Sequence, residues 1–376
     1  MKRKIASHYA LINGRLERGI VVEVEASGII TDIIHATALD SMAGVEFYPG
    51  ILTAGFINAH CHLELSYLRG AIAEGLGYGG FASAIGAVRG GYSDQERIHA
   101  AEVADALMWQ QGVEAVADIA NDELVMEVKR QSKIEYHTLF EFFGLRNSST
   151  EGHLTMAQRH PNSHVTPHST YSVQDAPFRD ICLKNRELMS LHFLESKSEA
   201  ELFSLRGSLW QWYERMGWEC DFLRYGTPTK RVRQCVSSDT RLLLVHATEA
   251  TKADIELVES HTTKATWVLC PESNRYISDA CPPVELLRDA GARIAIGSDS
   301  LASARTLSIV DNLKLIDSIP LADLLTYATL NGATALGIER EKGSIEIGKR
   351  PGLVVIEGAN LNELRLTPEA SSRRII

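Results

Sequence analysis

Eight apolar runs of strand length, each followed by a longer segment with helical patterning, recur between residues 52 and 297. Strands that alternate with helices predict a parallel sheet, and over roughly 250 residues a closed (β/α)8 barrel is the economical arrangement. A doubly wound open sheet is the alternative, although no glycine-rich phosphate turn follows the first run. We therefore predict an α/β fold built on a TIM-like barrel. The eight runs are 52–58, 113–118, 136–143, 163–166, 188–192, 242–246, 265–270 and 293–297.

The two ends of the chain have a different pattern. The first 52 residues read as short strands joined by turns, among them Asn13-Gly14, which favours a β-hairpin. A helix is predicted over 321–336, and residues 343–356 then return to a hairpin pattern. Neither end could bury a core alone. We predict that residues 1–52 and 341–376 form one small β-sandwich domain, and that 53–340 form the barrel.

Charge and hydropathy narrow the classes of partner. The 376-residue chain has 38 basic and 48 acidic side chains and a net charge of −10, which argues against a nucleic-acid binder. No apolar stretch reaches the roughly 18 residues that a membrane-spanning helix needs, and the basic amino terminus lacks the apolar run of a signal peptide. The six cysteines form no CxxC pair, so reduced thiols are expected. These features predict a cytoplasmic protein without a nucleic-acid or membrane partner.

Histidines stand at the ends of several predicted strands. His60 and His62 flank Cys61, so both imidazoles project to one face of the first strand. His192 and His246 close the fifth and sixth strands, and an aspartate at 299 follows the eighth. The carboxyl ends of barrel strands meet at one face, where function usually lies. Imidazoles with one carboxylate suit Zn²⁺ or Fe²⁺, although each histidine could instead satisfy a hydrogen bond at the barrel rim.

The same residues carry a resemblance to a known family. The run from Pro49 to His62, His192 with Glu195, His246, the segment 297–299 and the closing segment 343–349 resemble the amidohydrolase superfamily. Within it, the resemblance is closest to the branch of hydrolytic deaminases and chlorohydrolases. It covers nearly the whole chain, and together the motifs are specific.

The resemblance implies a mononuclear metal site. His60, His62, His192 and Asp299 are expected to bind one divalent metal ion, most simply Zn²⁺, with Fe²⁺ as the alternative. His246 is expected to contact the attacking water or the atom that it attacks. Dinuclear relatives carry a carboxylated lysine at the end of strand four, and this sequence has no lysine there.

Two carboxyl groups are expected to move protons. Asp299, beside the attacking water, can accept its proton. Glu195 lies three residues beyond His192, past the strand end, where it is free to bend over the pocket. When protonated it could donate to a ring nitrogen and then pass a proton to the leaving amine. A solvated loop carboxylate is the alternative interpretation of Glu195.

Four further residues are expected to bind substrate. By resemblance, His168 lies in the segment that supplies a substrate-binding histidine after strand four, and Asn274 lies in the turn after strand seven. Glu64 and Arg69 directly follow the metal-binding strand and could contact a substrate hydroxyl or carboxylate. An ion pair between Glu64 and Arg69 is an equally good interpretation.

Two segments near the predicted pocket stay ambiguous in sequence. Residues 202–236 hold three of the five tryptophans and could form either packed helices against the barrel or a lid that recognises a ring. The glycine-rich stretch 74–81 is too irregular for a phosphate site, and we interpret it as a mobile loop beside the pocket.

Together these features predict a metal-dependent hydrolytic deaminase that releases ammonia from an aminated purine-type heterocycle or nucleoside. The resemblance includes deaminases of adenosine-like nucleosides and of aminodeoxyfutalosine, and it suggests a homodimer. Two alternatives stay open: a cyclic amidohydrolase of the dihydroorotase or imidazolonepropionase kind, and a non-catalytic barrel in which the metal is structural.

Overall fold

We describe the protein from a computed structural model, which defines residues 2–35 and 44–376. The part of the predicted amino-terminal β segment at 36–43 lies outside the described residues. The strands are β1 (Arg3–Ala6), β2 (Tyr9–Ile12), β3 (Arg15–Glu17), β4 (Ile20–Val24), β5 (Ile30–His35), β6 (Val45–Phe47), β7 (Ile51–Ala54), β8 (Phe56–Cys61), β9 (Val113–Ala120), β10 (Glu135–Phe142), β11 (Ser163–Pro167), β12 (Leu188–Phe193), β13 (Arg241–His246), β14 (Ala265–Leu269), β15 (Ile294–Ile296), β16 (Leu353–Glu357) and β17 (Ser371–Arg374).

The helices lie mainly between the strands of the central region. Short 3₁₀ helices cover Leu63–Leu68, Arg89–Gly91 and Asp221–Tyr225. The α-helices are α1 (Gly77–Val88), α2 (Asp94–Gln110), α3 (Met126–Gln131), α4 (Glu151–Arg159), α5 (Asp175–Lys184), α6 (Lys197–Leu202), α7 (Gly207–Arg215), α8 (Pro228–Cys235), α9 (Lys252–Glu259), α10 (Pro271–Ser278), α11 (Val284–Asp289), α12 (Ile309–Leu313), α13 (Leu321–Thr326) and α14 (Gly332–Leu336). A π-helical turn at Tyr327–Asn331 joins the last two, so the helix predicted over 321–336 is confirmed.

Two parallel sheets form the centre of the fold. One has the strand order β11-β10-β9-β8 and the other β12-β13-β14-β15. Every residue of β8, β9 and β12 is buried, as expected for strands covered on both faces. Single bridges between Cys61 and Asp299, and between Ser169 and His192, join the edges of the two sheets. The α/β class is confirmed, and seven of the eight predicted runs match the single strands β9 to β15.

The first predicted strand is in fact two strands. β7 pairs with β16 in an antiparallel register, whereas β8 pairs with β9 in parallel. The break falls at Gly55, where a Cβ atom would lie 2.2 Å from Glu114 Cγ. Only glycine allows this close approach. The prediction of one strand over 52–58 was therefore wrong, because local hydrophobicity does not report which sheet a residue joins.

Strands from both ends of the chain share one sheet. Its order is β17-β16-β7-β2-β3, and a second sheet has the order β5-β4-β1-β6. The hairpin at Asn13-Gly14 is confirmed, with φ of 49° and 73° at the two turn residues. The hairpin predicted over 343–356 is wrong, since β16 begins only at 353 and pairs with β7 and β17. The predicted division of the chain at residues 52 and 341 stays a prediction.

Within the described part of the chain, no helix is both long enough and apolar enough to cross a membrane.

Candidate active site

Four imidazoles and one carboxylate meet at the carboxyl ends of the parallel strands. The Nε2 atoms of His60 and His62 lie 3.8 and 3.6 Å from Asp299 Oδ1, and His246 Nε2 lies 3.9 Å from Asp299 Oδ2. The rings of His60 and His192 have centroids 5.0 Å apart. All five side chains are buried. The structure therefore brings together residues that are separated by almost 240 positions of sequence.

The donor set fits a divalent metal ion. His60 Nδ1, His60 Nε2 and His62 Nδ1 are buried without a hydrogen-bond partner, an arrangement that native proteins rarely leave uncompensated. Burial holds the pKa of His60 well below its usual value and lowers that of His62 to about 3. Both rings are therefore neutral at pH 7 and offer lone pairs to a metal. His60, His62 and Asp299 place one ligand atom each within 4.8 Å of the others, and so do His60, His192 and His246.

Backbone strain marks the same strand ends. Leu194, His246 and Asp299 have φ values of 47°, 76° and 56°, in the left-handed region that non-glycine residues seldom adopt. Each such residue costs about 1–3 kcal/mol and persists only where its surroundings hold it, most often at functional sites. The chain thus accepts strain at the strand ends that carry His192, His246 and Asp299.

Neighbouring polar groups orient the candidate ligands. Asn274 Oδ1 lies 2.8 Å from His246 Nδ1, and His168 O lies 3.1 Å from His192 Nδ1. With Nδ1 engaged, the Nε2 atom of each ring faces the centre. Asp299 Oδ2 accepts hydrogen bonds from Ser273 Oγ at 2.5 Å and Ser303 Oγ at 3.1 Å.

A cavity of about 240 Å³ opens onto this centre. His62, His192, His246 and Asp299 line it, together with Glu195. The remaining wall is partly apolar. It includes Leu65, Tyr67, Tyr78, Phe81, Ile85, Phe143 and Ile277. The pocket therefore joins a polar reaction centre to an aromatic and aliphatic surface of the kind that binds a flat ring.

Glu195 lies in the cavity wall beside the histidines. Burial raises the pKa of its carboxyl group, which favours the protonated form closer to neutral pH. Its Oε1 atom accepts a short hydrogen bond from Tyr171 Oη, which in turn shares a short hydrogen bond with Tyr78 Oη. The solvated loop carboxylate considered from sequence is not what the structure shows. The Glu195 carboxyl group instead lines the cavity and is hydrogen-bonded to Tyr171 Oη.

Two of the four predicted substrate residues line the cavity. His168 stacks on His192 with ring centroids 4.5 Å apart, and its Nδ1 lies 2.9 Å from Ser172 Oγ. Glu64 is buried and accepts hydrogen bonds from Asn121 N at 2.9 Å and Asn121 Nδ2 at 2.8 Å. Burial raises the pKa of Glu64. Its contact with Asn121 replaces the ion pair that sequence reasoning allowed.

The other two predicted substrate residues lie outside the cavity lining. Arg69 caps the 3₁₀ helix Leu63–Leu68 and points away, with Nη2 donating to Arg305 O at 3.2 Å. Asn274 is buried in α10 and contacts His246 instead of the open cavity. The direct substrate contact expected of these two residues therefore stays a prediction.

Sequence reasoning missed several residues of the site. Glu141, in β10, lines the cavity with Oε1 at 3.5 Å from His192 Nδ1, and burial holds its pKa well above the usual value. A carboxylate between two phenylalanines of a buried strand was an available signal. Tyr171 and Tyr78 carried no such signal, because their partner Glu195 is distant in sequence.

The aromatic segment 202–236 forms packed helices. α7 and the 3₁₀ helix Asp221–Tyr225 pack their aromatic side chains into a cluster that includes Phe203, Tyr213 and Phe222, and Cys235 of α8 packs against it. No residue of this segment is among those lining the cavity in the described chain. The packed helices expected as one interpretation of this segment are therefore present. The stretch 74–81, expected as a loop, contains the start of α1.

Comparison with known proteins places the chain among metal-dependent hydrolases. A model of the amidohydrolase family matches residues 51–372. An adenosine deaminase of Helicobacter pylori is 27% identical over 344 residues, covering 82% of this chain and 79% of that protein. A 5-methylthioadenosine/S-adenosylhomocysteine deaminase of Teredinibacter turnerae is 26% identical over 350 residues, covering 85% and 74%.

Solved structures show the same fold. The aminofutalosine deaminase of Helicobacter pylori, in complex with methylthio-coformycin, superposes with a TM-score of 0.84 at 24% identity over all of both chains. An adenosine deaminase from Xanthomonas campestris with bound zinc gives a TM-score of 0.75 at 23% identity, over 95% of this chain and 85% of that one. With the family model matching most of its length, this chain belongs to the amidohydrolase family.

Proposed function

We propose that this protein is a hydrolytic deaminase that releases ammonia from an adenosine-like substrate. The observation that carries the proposal is that Glu195 lines the same cavity as His62, His192, His246 and Asp299. Such a lining offers a metal site, a proton acceptor and a proton donor to one bound substrate. The names of the relatives support an aminated purine nucleoside as the substrate class.

The proposed cofactor is one divalent metal ion, with Zn²⁺ as our first choice and Fe²⁺ as the alternative. His60, His62, His192 and Asp299 would hold it. When bound, such an ion supplies a strong nucleophile near neutral pH, because it lowers the pKa of water from 15.7 toward about 7. The bound zinc of the Xanthomonas campestris structure supports this choice.

The protein groups would move protons between water, ring and leaving amine. Asp299 would accept the proton of the attacking water, and Ser273 and Ser303 hold its Oδ2 atom in place. Glu195 would donate its proton to the ring nitrogen next to the attacked carbon, take up the second proton of the water as the ring carbonyl forms, and deliver that proton to the departing amine. The proton held by Asp299 would then return to Glu195. His246, oriented by Asn274, would hydrogen-bond the attacking oxygen. The products are a ring carbonyl and ammonia.

The rest of the cavity would hold the substrate. His168 and Glu64 offer polar contacts, while Tyr67, Phe81 and Ile85 offer surfaces for an aromatic ring. We further propose that the two parallel sheets close into one (β/α)8 barrel through the bridges at their edges. The composite β-sandwich domain, the homodimer and the cytoplasmic location also remain proposals from the sequence.

Ammonia release tests the proposal. Zinc-loaded protein would be assayed with adenosine, 5-methylthioadenosine, S-adenosylhomocysteine, aminofutalosine, guanine and cytosine. We expect saturable ammonia release with at least one adenosine-type nucleoside and little with the free bases. Hydrolysis of a dihydroorotase or imidazolonepropionase substrate without ammonia would support cyclic amide hydrolysis instead. Binding of zinc with no turnover on either panel would support a structural metal.

A further inference from the structure

A buried arginine lies behind the site without a carboxylate partner. Arg231, in α8, has no exposed surface, and its guanidinium carbon lies 4.1 Å from the ring centroid of Phe178 and 4.8 Å from that of Phe222. Among the ion pairs of the described residues none involves Arg231, and the nearby Asp175 pairs with Arg224. Burial lowers its pKa only to about 10, so it remains charged at pH 7. Burying an unpaired charge is costly, so the guanidinium must be compensated by its other contacts.

Those contacts are two backbone carbonyls on one turn. Arg231 Nη1 donates to Thr170 O at 2.5 Å, and Nη2 donates to Val173 O at 2.9 Å. The two carbonyls bracket Tyr171, whose own carbonyl accepts a hydrogen bond from Tyr213 Oη at 3.3 Å. A planar guanidinium presents its donors in a fixed fork and can hold two acceptors at a set spacing. The hydrogen bonds from Arg231 and Tyr213 therefore hold the backbone of the turn 170–173 in place.

The turn 170–173 carries Tyr171, whose hydroxyl contacts the proposed proton donor Glu195. Tyr171 is almost fully buried, and its Oη donates to Glu195 Oε1. The backbone N–H of Glu195 donates to Glu199 Oε2 at 3.1 Å, and Glu199 also accepts a hydrogen bond from Thr170 Oγ1. The turn that Arg231 contacts thus holds Glu195 in two ways. Tyr171 binds its carboxyl group directly, and Thr170 binds Glu199, which accepts the hydrogen bond from its backbone N–H.

We propose that Arg231 is a positioning residue of the deamination reaction, acting through the turn 170–173 and the Tyr171 hydroxyl to orient the Glu195 carboxyl group. The inference rests on the proposed function, since it takes Glu195 as the proton donor. Arg231 is not among the cavity-lining residues, so it has no direct contact with substrate. A misplacement of about 1 Å in a reacting group can cost about 10²-fold in rate, which sets the scale of the effect.

A double-mutant cycle tests the path. Arg231→Met, Tyr171→Phe and the double variant would be compared with the unmodified protein for kcat, KM and bound metal. We expect each single variant to lower kcat by about 10- to 100-fold, with a much smaller change in KM and unchanged metal content. In the Tyr171→Phe background, Arg231→Met should lower kcat by less than about 3-fold, because the two residues act in one path.

Two further variants complete the design. Arg233→Met, an exposed arginine on the same helix, is the matched control and should leave kcat unchanged. Arg231→Lys should recover only part of the lost kcat, because an ammonium group is not the planar fork that holds both carbonyls at their set spacing. If Arg231→Met does not fold, the cycle with Arg231→Lys and Tyr171→Phe gives the same comparison.

The outcomes separate this inference from the proposed function. If the effects of Arg231→Met and Tyr171→Phe on kcat multiply, or if Arg231→Met lowers only thermal stability, Arg231 is a structural residue and the inference is wrong. Glu195→Gln would be measured in parallel. If it loses turnover while the cycle shows no coupling, the inference alone fails. If Glu195→Gln keeps full turnover, the proposed proton donor is wrong, and the inference falls with it.

Discussion

The two sides of the cavity are built in opposite ways. On one side, His60, His62, His192, His246 and Asp299 sit at strand ends and are buried. On the other side, α1 contains no buried residue at all, although its Tyr78, Phe81 and Ile85 line the same cavity. The proposed metal ligands and proton carriers need a rigid support, because their reacting atoms must stay in a fixed arrangement. A segment that only covers a bound substrate needs less rigidity. Such segments belong to the less stable parts of a fold.

The sequences of the two sides account for this difference. The strand ends follow runs of Val, Leu, Ile and Ala that pack between sheets and helices. α1 reads Gly77-Tyr-Gly-Gly-Phe-Ala-Ser-Ala-Ile-Gly-Ala-Val88, and each interior glycine lowers helix stability by about 0.5–1 kcal/mol relative to alanine. Four predictions test the contrast.

Removing the proposed metal ion should have the largest effect on activity, because the ion would be bound by the buried residues at the strand ends. We expect chelation to lower ammonia release by about 10³-fold or more, because the ion contributes several kcal/mol to the barrier. Added Zn²⁺ should restore the activity. His60→Ala should bind less metal and lose activity to a similar extent, whereas His99→Ala, on the exposed surface of α2, should lose neither. Full turnover by metal-free protein would refute the proposed chemistry.

Glu195→Gln should have the next largest effect, at the point where the two sides meet. The amide cannot deliver a proton to the leaving amine, so we expect kcat to fall by about 10²- to 10⁴-fold. Metal content should stay unchanged because Glu195 is outside the predicted ligand set. Steady-state ammonia release and metal analysis check both statements. Glu214→Gln, an exposed glutamate of α7, serves as control. Loss of metal in Glu195→Gln would make Glu195 a ligand instead.

Asn274→Ala should have a moderate effect on the rigid side. Without its Oδ1 acceptor, the His246 ring loses the hydrogen bond that sets its orientation. Partners of this kind typically contribute about 10- to 100-fold in activity, and we expect a loss of that size in kcat. Asn274→Asp keeps an acceptor and should lose less. An unchanged kcat in Asn274→Ala would show that His246 is oriented by packing alone.

Gly79→Ala with Gly86→Ala should have the smallest effect, on the α1 side. A Cβ atom at either position meets open space, so the substitutions should stabilise the helix without a clash. We expect amide hydrogen exchange within α1 to slow by about 2- to 5-fold per substitution, with little change in global stability. Gly152→Ala in α4 is a matched control that should leave α1 exchange unchanged. Unchanged exchange in the double variant would show that α1 is already rigid.

Much of the fold and of the reaction centre could be predicted from local sequence. Seven of the eight predicted strands match single strands of the structure, because buried parallel strands are continuous apolar runs. His60, His62, His192, His246 and Asp299 were recognisable because each lies at or next to a strand end, where barrel and doubly wound folds place their chemistry. The direction of Arg69 and the partner of Asn274 were not predictable, since they depend on how one helical turn is oriented against its neighbours.

The sequence by itself determined the order of strands and helices and the chemical identity of the candidate metal ligands, because periodicity and residue type are local properties. Only the tertiary structure decided which of those groups meet. It placed Glu141 beside His192 and joined the Tyr171 hydroxyl to the Glu195 carboxyl group. It also buried Arg231 against the turn 170–173 that carries Tyr171. These contacts arise from packing between segments distant in the chain, and no local pattern of residues encodes them.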